Sequence, residues 1–142
     1  MNKKISIKMS CLMEAIEQAS DFSTCLYDLE KQENVWLFEE FPDDELEEMI
    51  EDQFERFVHL PDQYDIHEYR FMIAFIDQVQ DERIRMKLDR AVRGKGAFRR
   101  FKDCLLYEEI EKQWYAFLDN AHREFAAQWC NEKGYDLIMD EQ

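Results

Sequence analysis

Apolar and polar positions along this chain change their period near its middle. After a short extended start at Ile5-Ser6-Ile7, Ser10 is a good N-cap for one short helix, because Leu12, Ala15, Ile16 and Ala19 follow at the spacing of a single helical face. From Phe22 to Leu29 the pattern alternates, and Val35-Trp36-Leu37-Phe38 forms a second β-prone run. The polar stretch Glu30 to Asn34 reads as the loop of a hairpin. Pro42 and Asp43-Asp44 then precede Leu46, Met49 and Ile50 at helical spacing, within a helix predicted over 41–53, and Arg56 to Leu60 reads as a third strand before Pro61. From Asp65 the period is helical. Asp65 and Glu68 suggest a capping box for a helix with Tyr69, Met72, Ile73, Ile76 and Val79 inward. A second helix runs from Asp81 to Val92 and ends at Gly94, a third carries Phe98, Phe101 and Leu105, and a long last one spans Glu108 to Cys130 before Gly134.

These elements predict an α+β fold: a small antiparallel sheet of two or three strands with helices packed on it, and a mainly helical C-terminal half. The expected organisation is a single domain over residues 1–142, with an α+β lobe at 1–62, a helical part at 63–134 and a tail at 135–142. A length of 142 residues with 46% hydrophobic and 14% aromatic side chains supports one packed core and excludes a disordered or fibrous chain.

Charge alters the picture more than composition does. The formal net charge is −15, which argues against a uniformly basic binder of phosphate backbones or anionic membranes. The charge is segregated, however: residues 1–82 carry −16, residues 83–102 carry +8 and residues 103–142 carry −7. The twenty-residue basic segment places two helix pieces around the Gly94-Lys95-Gly96 turn. A new helix N-terminus there, with Arg93, Lys95, Arg99, Arg100 and Lys102 close by, has the chemistry of an anion site for a phosphorylated molecule or nucleic acid. The competing reading is that these cations neutralise acidic residues of the same fold or of a protein partner. Gly-x-Gly follows a helix rather than a strand, so neither the dinucleotide-binding nor the P-loop context is met.

The run from Arg93 through Gly94-Lys95-Gly96-Ala97-Phe98-Arg99-Arg100-Phe101-Lys102 to Asp103, with Trp114-Tyr115-x-Phe117, Trp129-Cys130, Leu60-Pro61-Asp62 and Ile66-His67-Glu68, resembles the bacterial uncharacterised protein family 0158. The resemblance covers about Ser10 to Gly134. It implies a soluble bacterial domain and supplies no activity, cofactor or catalytic residue.

Other chemistry is sparse. His59, His67 and His122 have no metal-ligand spacing, and no cofactor is expected. A metal-dependent hydrolase built on Asp65, His67 and Glu68 is an alternative; capping plus a surface histidine is the simpler reading. Cys11, Cys25, Cys104 and Cys130 form no CxxC pair and read as free, mostly buried thiols of a cytoplasmic protein. No secretory signal and no membrane-spanning run is read in the sequence. The expected function is therefore a binding or regulatory module rather than an enzyme, since no catalytic motif is recognisable. The alternative is an acidic module that docks a basic partner through residues 39–55. If Trp36 and Phe38 share an exposed hairpin face, that face suits a partner interface.

Overall fold

The computed structural model describes residues 4–141. The fold is α+β with a mainly helical C-terminal half. Contacts divide the chain into two compact units, one made of residues up to Ile66 together with those from His122 onward, the other of His67–Ala121.

The first unit opens with β1 (Ser6–Lys8) and α1 (Met9–Glu17), followed by β2 (Ser23–Asp28) and β3 (Glu33–Phe38). It continues with α2 (Asp44–Asp52), a 3₁₀ turn at Phe54–Arg56, β4 (Phe57–His59) and α3 (Gln63–Ile66). The three antiparallel strands have the order β3-β2-β4, with Cys25 opposite Trp36 and Tyr27 opposite Val58. As the central strand, β2 buries Cys25, Leu26, Tyr27 and Asp28 consecutively, so both of its faces are covered rather than the single face that alternation implies. Ile7, Leu12, Met13, Ala15 and Ile16 supply further core from β1 and α1. Helix α2 buries no side chain and starts at Asp43, whose carboxylate accepts the Leu46 N–H at 3.1 Å.

Two expectations change here. Ser10 does not cap α1; Lys8 stands at the cap position, and Ser10 instead donates its N–H and its hydroxyl to Asp140. An anion from far along the chain thus supplies the acceptor at this helix N-terminus. Residues 135–142, read as a tail, contain β5 (Asp136–Ile138), which pairs in parallel with β1 through Ser6 opposite Asp136 and Lys8 opposite Ile138. Three residues are too few for periodicity to announce a strand.

The helix predicted from Asp65 is two helices. His67 has φ of 54°, which breaks the run between α3 and α4 (Tyr69–Gln78). The reciprocal cap is one turn earlier than expected, with Asp62 Oδ1 accepting Asp65 N–H at 2.9 Å and Asp65 Oδ2 accepting Asp62 N–H at 3.2 Å. No side chain caps α4, so Glu68 has no part in a capping box.

The second unit comprises α4, α5 (Glu82–Ala91), α6 (Ala97–Tyr107) and the first part of α7 (Glu111–Lys133). Its core is aromatic. Phe75 meets Phe101, Trp114 and Phe117 edge-on, and Phe101 meets Trp114 with centroids 4.9 Å apart. Such pairs contribute roughly 0.5–1.5 kcal/mol each beyond the area they bury. Met72, Ile76, Leu88 and Leu105 are buried in the same unit.

Candidate anion-binding site

The basic segment occupies α5, the following turn and the start of α6. Asp81 starts α5 by accepting the Ile84 N–H at 3.1 Å. Its end is closed by side chains: the Tyr69 hydroxyl donates to Val92 O at 3.0 Å, and the Arg100 guanidinium donates to Ala91 O at 3.1 Å and to the carbonyls of Arg93 and Lys95. Carbonyls that a helix end leaves unpaired are satisfied in this way by one planar cation. Gly94 and Gly96 have φ of 75° and 76°, a backbone that side-chain-bearing residues adopt only with strain. A Cβ on Gly96 would also stand 3.0 Å from Arg100 Nη1.

Gly96 is the residue before α6. Gly96 has no side chain with which to cap that helix, and no acidic residue lies in its first turn. Its N-terminal amides therefore present uncompensated positive dipole beside Lys95 and Arg99.

The five cations singled out in the sequence have different surroundings. Arg93, Lys95 and Arg100 are brought together by the turn. Arg93 forms an exposed ion pair with Asp89 at 3.0 Å, and Arg100 is engaged by the backbone. Lys102 donates to the Tyr115 hydroxyl at 3.1 Å and stands over the rings of Phe98 and Tyr115, 5.4 and 5.1 Å from their centroids. Lys95 and Arg99 are exposed and, among the described residues, have no carboxylate partner; the same holds for Arg85 and Arg90.

The N-terminal part of the segment is neutralised. Arg83 donates to both carboxylate oxygens of Glu108, at 3.0 and 2.9 Å, and Lys87 donates to Oε1 at 2.8 Å. Bonds from Arg83 and then Lys87 hold the Glu108 carboxyl down at about 2. Burial raises the neighbouring Cys104 thiol, while Lys87 pulls the other way. The thiols of Cys25 and Cys130 are pushed up by burial to about 12 and about 11, so neither is an activated nucleophile at neutral pH. All four cysteines are free, as the sequence suggested.

The role of Tyr69 escaped the sequence reading, and Phe98 and Tyr115 could serve as base-stacking platforms only if exposed. Phe98 and Tyr115 are each about half exposed, whereas aromatic residues at helical spacing read as core. The signal for Arg100 was its place four residues after a glycine that starts a helix. Among the described residues no three His, Cys, Asp or Glu side chains converge as a metal site, and no helix is long and apolar enough to cross a membrane.

The arrangement defines a small α+β protein with segregated charge and a cationic, aromatic-flanked turn left open on one helical unit. Over residues 2–142 the chain matches the uncharacterised protein family (UPF0158), and it belongs to that family. It is similar to the UPF0158 protein PA5073 of Pseudomonas aeruginosa, with 27% identity over 94 residues. That match covers 66% of this chain and 61% of the length of that relative. No solved structure matches.

Proposed function

We propose that this chain is a cytoplasmic binding module that holds a phosphate-bearing ligand at the turn between α5 and α6. Single-stranded nucleic acid is the class that best uses the surroundings. The observation that carries the reading is the contrast within one basic segment: Arg83 and Lys87 are paired with Glu108, whereas Lys95 and Arg99 stand exposed beside the uncapped N-terminus of α6. Internal neutralisation accounts for the first pair and leaves the second unexplained. Phosphate oxygens suit free helix amides flanked by cations. Exposed Phe98 and Tyr115, with Lys102 over both rings, add π faces on which unpaired bases stack. The −16 carried by residues 1–82 opposes a long duplex and favours a short local contact.

The test is fluorescence anisotropy of a short labelled single-stranded RNA titrated with protein over a range of salt. The expected result is salt-sensitive binding whose log–log slope flattens by about 1.4 in the Lys95→Ala/Arg99→Ala double variant, at about 0.7 per lost phosphate contact on a single strand. Phe98→Ala should weaken binding with the slope unchanged. Undiminished affinity and slope in the double variant refute the reading.

A further inference from the structure

We propose that the hairpin end of the first unit carries a pocket for an arginine side chain presented by a basic segment of a partner protein. This proposal is independent of the cationic turn. Trp36 and Phe38 are two residues apart on β3 and so project from the same face; their rings stack with centroids 6.4 Å apart and planes 16° apart. Together with Glu14, Gln18, Ser20 and Ser23 they line an open pocket of about 370 Å³. The volume is at the small end of ligand sites, matched to one long side chain.

Its chemistry selects a cation. The Trp36 indole N–H donates to Glu14 Oε1 at 3.3 Å, which fixes the ring and holds a carboxylate beside it. The hydroxyls of Ser20 and Ser23 are bonded to each other at 2.8 Å on another wall. Among the described residues no cationic side chain lines the cavity. An anion would be repelled by Glu14, and an uncharged apolar ligand would strip water from that carboxylate without replacing its bonds. A guanidinium offers a weakly hydrated plane for the aromatic faces and N–H donors for the carboxylate; an ammonium is more strongly hydrated and offers no plane.

The surroundings point to a chain segment rather than a free small cation. The Glu39 N–H donates to Phe22 O at 3.0 Å and Phe41 bridges to Phe38, so the apolar surface continues beyond the cavity across Phe22 and Phe41, 62% and 75% exposed. Residues 39–55, which begin at this end of β3, hold ten carboxylates and no Lys or Arg. A segment combining arginines with apolar residues complements both the charge and the exposed rings.

The experiment follows the Trp36 indole N–H resonance of the ¹⁵N-labelled full chain. The probes are a short peptide of arginine, glycine and serine, the same peptide with lysine in place of arginine, and spermidine. The expected result is a saturable shift with the arginine peptide, weaker binding of the lysine peptide, and weaker still of spermidine. Trp36→Leu should reduce affinity for the arginine peptide by about tenfold, read by calorimetry. Glu14→Gln should do so comparably while preserving side-chain size and an oxygen for the indole, which separates lost recognition from lost folding. Equal binding of the three probes, or unchanged affinity in both variants, overturns the proposal.

Discussion

Replacing Arg100 with alanine should loosen the turn between α5 and α6 while removing a cation that has little freedom to reach a ligand. The guanidinium donates to the carbonyls of Ala91, Arg93 and Lys95. Each such bond contributes about 0.5–1.5 kcal/mol net, and at an exposed position the lower half of that range applies, so the three together contribute about 2 kcal/mol. For a chain of this size, 1 kcal/mol corresponds to roughly 2–4 °C of melting temperature, so Arg100→Ala should melt about 4–8 °C lower in a thermal scan followed by circular dichroism. Lysine should restore little, because one ammonium on a flexible stem does not span three carbonyls. Arg99→Ala, one residue away, should leave melting unchanged to within about 0.5 kcal/mol and act only on ligand binding. An Arg100→Ala protein that melts with the wild type, or full recovery with lysine, refutes the assignment of Arg100 to the backbone.

Two further outcomes are expected. Asp28 is 1% exposed and receives Arg56 Nε and Nη2 at 2.8 and 2.7 Å together with the N–H groups of Glu30 and Lys31. Asp28→Asn should therefore cost about 3–5 kcal/mol in urea denaturation, because it breaks a buried ion pair and leaves the Arg56 guanidinium only the exposed Glu30 carboxylate at 3.4 Å. Glu108 bears on acid stability: its carboxyl is held at about 2 in the folded chain against 4.5 ordinarily, so its contribution is complete above about pH 4.5 and disappears as pH falls toward 2. Measured as melting temperature against pH, the gap between wild type and Glu108→Gln should close over that window, and a constant gap would contradict the pairing with Arg83 and Lys87.

What could be read in the sequence depended on the range over which each determinant acts. The hairpin Ser23–Phe38, the existence of the helices that start near Asp43 and Asp81, and the glycines of the α5–α6 turn depend on neighbours a few residues away, and their patterns were visible. The caps and pairs that were misplaced depend on distant partners. Ser10 looks like a helix cap until Asp140 arrives, and nothing near Glu108 in sequence marks its bonds to Arg83 and Lys87, 25 and 21 positions away. The break at His67 has no proline or glycine to mark it, so the helical period ran straight through. At the candidate site, the clustering of Arg93, Lys95 and Arg100 was legible in the Gly-Lys-Gly turn. The division of labour between Arg99 and Arg100 was not, because it rests on which backbone carbonyls the turn leaves unpaired.

The pairing of β1 with β5 has a consequence for how the first unit is made. Ser10 and its acceptor Asp140 are 130 positions apart, with all of His67–Ala121 between them. Translation at about 5–20 residues per second puts a delay on the order of ten seconds between the emergence of the two strands. During that time the edge of β1 has no partner and α1 lacks its capping anion. The second unit, contiguous in sequence, has all its residues by Ala121, before β5 begins at Asp136. Synthesis thus imposes an order on a chain whose sequence order alone would put the first unit first: the residues of the inserted unit have all emerged before β5 does, and only β5 closes the strand pair begun by β1.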